Sequence, residues 1–236
     1  MNCSFTSVAR TSLSSFHADA GSLESAVSQV VPDGLPDGVW LWTAWLDRLS
    51  SARSGFVDWL SPAERERAAR FMFERDRGRF VAGRGFLRWL LGESLGVDPA
   101  SLEFVYGPAG KPSLAGRFAG GIQFNLAHSE GLMVCAVSEK TEVGVDVERV
   151  RAVPEAERIL EAHFSIDSAA AWRRLPREQQ PEAFLRLWVR HEARVKRSGR
   201  GLAQPEAEEP RLATDDSVVE FVPAAGFVGA LAVNHV

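Results

Sequence analysis

Cysteine is scarce in this chain: there are two, Cys3 and Cys135, among 236 residues. Two such residues do not make a disulfide framework, so burial has to hold the fold, and a reducing cytoplasm is the expected setting. Cys135 lies in the apolar run "LMVCAV" and is expected to be a buried core thiol. Long apolar runs are also missing. None approaches the roughly 20 residues that cross a bilayer, and no basic start followed by an apolar core marks a secretory leader. Charge of one sign is not in excess either: 27 basic and 31 acidic groups leave a formal charge of −4. That balance points to neither nucleic acid nor a membrane surface, so a basic site has to be local.

What is present is the 45% hydrophobic, 25% charged composition of an ordinary globular protein, with length for one sizeable domain or two small lobes. Residues 1–36 are rich in Ser and Ala and end in "VPDGLPDG"; they read as a flexible extension with a short helix at "LESAVSQV". "VWLWTAWL" reads as a buried strand. "LSPAERERAARFMFERDRGRFVAGRGFLRWLLGESLG" is mostly helical, with Ser61 as N-cap, Pro62 in the first turn and Glu64 completing a capping box. Ala68, Phe71 and Met72 are expected on one face, and Phe80, Phe86, Leu87, Leu90 and Leu91 mark a second helix. Arg67, Arg70, Arg75, Arg77, Arg79, Arg84 and Arg88 decorate this region, as a solvated face or as a phosphate-binding one. "LEFVYGPAGKPSL" reads as a strand, a turn carrying Lys111 and a bend. "IQFNLAHSEGLMVCAVSE" reads as two strands around a polar turn at 125–131 that holds His128. "EVGVDVERV" is a strand, 154–175 two short helices, and "VVEFVP" and "FVGALAV" the last strands. No repeat of 20–50 residues is present.

Two constellations carry chemistry. In a strand, residues two apart share a face, so Val145 and Val147 face the core while Asp146 and Glu148 face the other side. Adjacent carboxylates repel unless positive charge lies between them. One reading is an exposed strand face neutralised by Arg149 and solvent; the other is a hard divalent cation shared with substrate phosphates. The second constellation is the helix "LWVRHEARVKRS". Trp188, Glu192 and Lys196 fall at i, i+4 and i+8, with Trp188 as the anchor and one acid among Arg190, His191, Arg194, Lys196 and Arg197. A simple Glu–Lys surface pair is the plain reading of that spacing. Gly199 suits a left-handed cap.

The order "YGPAGKP", "FNLAHS", "GVDVERV", "WVRHEARVKRSGRGL" resembles the 4′-phosphopantetheinyl transferases of the Sfp type, over about residues 39–236. The resemblance implies an α+β fold of two pseudo-symmetric lobes, 37–140 and 141–236, behind the 1–36 extension, with coenzyme A in the cleft between them. It implies Mg²⁺, with Mn²⁺ as an alternative, on Asp146, Glu148 and Glu192. Lys196 would contact phosphate and assist catalysis, and Glu192 would also accept a proton. Arg79, Lys111 and His128 would contact the nucleotide and its 3′-phosphate. The implied reaction moves phosphopantetheine from coenzyme A to a serine of an apo acyl or peptidyl carrier protein, releasing adenosine 3′,5′-bisphosphate. The implied enzyme is a cytoplasmic monomer that engages no nucleic acid and no membrane, and Arg75, Arg77 and Arg84 are candidate carrier contacts. Three positions depart from the family pattern: His191 stands for a lysine, Ala127 for a serine whose hydroxyl would contact the ligand, and Glu64 for a basic nucleotide contact. The alternative is a diverged member that binds coenzyme A or a carrier protein without efficient transfer.

Overall fold

In the computed structural model, residues 26–52, 55–199 and 218–234 are described. Val27–Val30 forms strand β1, antiparallel to β2 (Val39–Trp45) in the register Val27↔Ala44. This corrects the sequence expectation of a helix at "LESAVSQV" and draws 27–30 out of the supposed extension; 1–25, with Cys3, lie outside the described residues. The four residues "VSQV" have little strand pattern of their own, and the ladder to β2 supplies the preference.

Helices α1 (Leu46–Ala52), α2 (Phe56–Trp59), α3 (Pro62–Ala69) and α4 (Glu74–Leu95) follow. The expected capping box is formed: Glu64 N–H donates to Ser61 Oγ at 3.2 Å, and Ser61 N–H to Glu64 Oε2 at 2.9 Å. The apolar face expected at Phe71 and Met72 is not: α3 ends at Ala69, and these residues are 37% and 89% exposed in the following loop. The arginine-rich face is mixed. Arg88 is fully buried, donating to Glu64 Oε2 at 2.8 Å and to the carbonyls of Pro99 and Leu102.

The hairpin β3 (Phe104–Tyr106) and β4 (Pro112–Leu114) brackets the Lys111 turn, and β5 (Gln123–Ser129), β6 (Leu132–Ser138) and β7 (Val143–Arg149) follow. The polar turn between β5 and β6 is shorter than expected, Glu130 and Gly131 alone, so His128 belongs to the strand, opposite Met133. Then come α5 (Ala156–His163), α6 (Ile166–Arg173), α7 (Gln180–Ser198), β8 (Val218–Phe221) and β9 (Phe227–Val233).

The strands make an antiparallel sheet β1-β2-β6-β5, the β3-β4 hairpin, and a sheet β7-β9-β8. The layering explains the apolar runs. On the first sheet, Trp42, Ala44, Met133, Cys135 and Val137 pack against α4 residues Phe86, Leu87, Leu90 and Leu91. Alternate residues Leu41, Leu132, Val134 and Ala136 pack against Val143, Val145, Val147 and Leu231 of the second sheet. Strand β6 is therefore buried on both faces, which is why "LMVCAV" has no polar alternation. The outer face of the second sheet, Val228, Ala230 and Ala232, receives Leu185, Val189 and Ala193 of α7. Helix and strand touch at Gly144, where an added Cβ would lie 2.1 Å from Ala193 O and 2.2 Å from Arg197 N. This contact sets α7 directly over the acidic end of β7.

Candidate active site

The alternation expected along β7 holds: Val145 and Val147 are in the core between the sheets, and Asp146 is on the side of α7. From α7, the Trp188–Glu192–Lys196 stripe descends on the same place. Trp188 stacks on Phe184 at 6.4 Å and fixes the base of the stripe. Lys196 Nζ donates to Asp146 Oδ1 at 2.6 Å, across 50 residues of chain. Lys196 thus bonds to the strand while still acting on Glu192 of its own helix, so the spacing is more than a plain surface pair.

Asp146 is 5% exposed, and its Oδ2 is buried with no hydrogen-bond partner. Burial pushes its pKa from 3.8 up to about 6; Lys196 pulls it down, while Glu192 and Glu148 push it further up. Glu192 is raised as well, by burial first, with Lys196 lowering it, Glu148 raising it and His163 lowering it. The acids from strand and helix therefore feel one another, with Lys196 as the cation among them. Among the described residues, no three His, Cys, Asp or Glu side chains converge tightly enough to hold a metal as they stand. Their chemistry nevertheless suits one: hard oxygen donors, mutual repulsion, and a buried oxygen lacking a partner.

Glu192 and Lys196 open onto a cleft of about 600 Å³ whose wall includes Arg67, Arg84, Tyr106, Lys111 and Asn125. Arg84 donates to the Tyr106 hydroxyl at 2.6 Å and lies 3.7 Å from Glu64, so it is a wall residue rather than an exposed carrier contact. Lys111 donates to Val143 O at 3.1 Å and to Arg197 O at 2.8 Å; burial lowers its pKa. It ties the β3-β4 turn to the C-terminal end of α7, and two of the three protons of its ammonium are used in doing so.

The other expected ligands are placed differently. Arg79 is held by Asp47 through Nε and Nη2, at 2.7 and 2.6 Å, and by Glu130 O. His128 is exposed on β5. Neither lines the cleft. Of the bases around Glu192, Arg190 pairs with Glu220 at 3.1 Å and Arg197 donates to Val233 O at 2.8 Å, so the acid is not simply ringed by phosphate ligands.

The three departures also resolve structurally. Glu64 is a buried partner of Arg88 and a cap of α3. Ala127 is 4% exposed and packs in the core between the sheets, on the opposite side of β5 from His128. The His191 ring packs on His163, Phe164 and Trp188 at 5.5, 5.6 and 5.7 Å. Tyr106 and Ser129 were not singled out by sequence: Ser129 falls in the stretch that reads as a polar turn, and only the strand Gln123–Ser129 puts it on the face of Asn125.

A family model described as 4′-phosphopantetheinyl transferase superfamily matches residues 142–222, and one described as 4′-phosphopantetheinyl transferase, N-terminal, matches 42–140. The chain is 39% identical over 210 residues to the 4′-phosphopantetheinyl transferase HetI of Nostoc sp., covering 84% of this chain and 89% of that protein. It is 36% identical over 123 residues to AcpT of Escherichia coli, 52% and 58% of the two chains. With Sfp of Bacillus subtilis it shares 25% identity over 186 residues, 78% and 81%.

Proposed function

The chain belongs to the 4′-phosphopantetheinyl transferase superfamily, and on that premise we propose that it moves the phosphopantetheine arm of coenzyme A onto a serine of an apo carrier protein. The observation that carries this reading is the Lys196–Asp146 bond, with Glu192 and Glu148 near enough to repel the Asp146 carboxylate, beside a cleft that Glu192 and Lys196 line with Arg67, Arg84 and Lys111. The three carboxylates would hold Mg²⁺, or Mn²⁺ with its similar taste for oxygen. When bound, the ion supplies neutralising charge to the pyrophosphate.

The chain's own residues do the rest. Lys196 holds positive charge where the pyrophosphate oxygens would gather it, and its bond to Asp146 keeps the ammonium aimed. Glu192, half-buried and raised in pKa, is suited to accept the serine proton directly or through one water. Arg67 and Arg84 in the wall, with the remaining donor of Lys111, are placed to receive the nucleotide phosphates. The serine oxygen would form its bond to the β-phosphorus as the bond to the departing adenosine 3′,5′-bisphosphate breaks, in line. Arg79 and His128 enter this scheme only as outer contacts, since neither lines the cleft.

On the partner side, Phe71, Met72 and Phe73 are exposed together, with Arg75 and Arg77 after them. Phe71 rests on Phe80 at 5.4 Å, and Arg67 caps the Phe80 ring, so this loop adjoins the cleft wall. An acidic carrier domain is the partner that suits it. The test is release of adenosine 3′,5′-bisphosphate from coenzyme A in the presence of Mg²⁺ and an apo carrier protein. Asp146→Ala and Glu192→Gln are expected to abolish release with the fold intact; full activity in either would sink the site assignment.

A further inference from the structure

Strands β5 and β7 lie in different sheets, yet two β5 side chains serve as backbone partners along the β7 edge. Asn125 Oδ1 accepts the Val145 N–H at 2.9 Å, and Ser129 Oγ accepts the Arg149 N–H at 3.1 Å. Both side chains belong to buried residues. The two bonds fall on either side of Asp146 and Glu148, so they fix the register of the acidic pair against the first sheet. Ser129 does more than Asn125: its hydroxyl proton goes to Glu148 Oε2 at 2.8 Å. With one lone pair on the Arg149 N–H and its proton on the carboxylate, the hydroxyl is locked from both sides.

We propose that Ser129 is a positioning residue for Glu148. It holds one carboxylate oxygen against the strand edge and leaves the other for the cluster with Asp146 and Glu192. The inference rests on the reading of that cluster as a cation-binding site. A glutamate at the end of a strand has three free torsions, and a ligand left to rotate binds more weakly. Groups that orient metal ligands typically contribute about 10–100-fold in metal affinity.

The probe is Mn²⁺, titrated into the intact protein with coenzyme A bound and followed by electron paramagnetic resonance. Ser129→Ala is expected to raise the Mn²⁺ dissociation constant about 10-fold or more. Ser129→Thr, which keeps the hydroxyl, is expected to restore it to within about threefold, and in a Glu148→Gln background Ser129→Ala is expected to add less than about twofold. Wild-type affinity in Ser129→Ala, or an equal loss with and without Glu148, overturns the proposal. If the wild-type protein binds no Mn²⁺, it is the cation-site reading that fails. The contact is then judged by urea midpoints of the wild type, Ser129→Ala, Glu148→Gln and the double variant: non-additive shifts uphold the Ser129–Glu148 link, and additive shifts overturn it.

Discussion

Asp146→Asn is expected to make the metal-free protein more stable while removing its activity. The ionised carboxylate is disfavoured in the fold, because burial outweighs the pull of Lys196 and Glu192 and Glu148 add repulsion. Its pKa rises from 3.8 to about 6, so the folded state binds the proton more tightly than the unfolded one. The sign follows directly: the group costs nothing below about 3.8, costs progressively more as the pH rises, and reaches its full cost above about 6. The gap corresponds to about 3 kcal/mol. An asparagine of the same shape carries no charge to desolvate, and Lys196, about one-third exposed, can turn to solvent. In EDTA at pH 7.5 the variant should melt roughly 6–12 °C above the wild type. Urea unfolding of both proteins between pH 4 and pH 8 measures the difference, which should narrow toward zero near pH 4. A variant less stable than the wild type at pH 7.5, or a gap that ignores pH, would show that the buried Asp146 charge does not destabilise the fold.

Other sites give equally direct expectations. Arg88→Met strands the buried Glu64 carboxylate and two carbonyls, and should lose about 3–5 kcal/mol in chemical denaturation. Gly144→Ala drives a methyl into the backbone of α7 and should cost roughly 3 kcal/mol or more, seen as a lower melting temperature and disordered site geometry. Ala127→Ser faces the core rather than the cleft, so calorimetric affinity for coenzyme A should stay within about twofold of wild type; a tenfold gain would place the hydroxyl on the ligand after all.

Much of the candidate site was legible because its pattern is local. Period 2 separated Asp146 and Glu148 from Val145 and Val147, helical spacing aligned Trp188, Glu192 and Lys196, and Ser61 with Glu64 announced the start of α3. Gly199 ends α7 in the left-handed region at φ 67°, as its place after the last helical turn suggests. What escaped depends on partners far along the chain. Val27–Val30 is a strand because β2 lies beside it. Arg88 is buried because Glu64 meets it 24 residues away, and in sequence it looks like any other arginine on that helix. Lys111 is tied to carbonyls 32 and 86 residues distant. His128 was misplaced for a smaller reason: its polar neighbours suggest a turn, but β6 takes the ladder up to Ser129.

Carrier-protein phosphopantetheinylation through the acid–lysine cluster is read out most directly by intact mass spectrometry. Apo carrier proteins of fatty-acid, polyketide and peptide type would be incubated separately with the protein, coenzyme A and Mg²⁺. At least one carrier is expected to gain a single phosphopantetheine, and the gain is expected to vanish with EDTA and with Glu192→Gln. An unmodified mass for every carrier, with coenzyme A bound in the cleft, would contradict the proposed transfer.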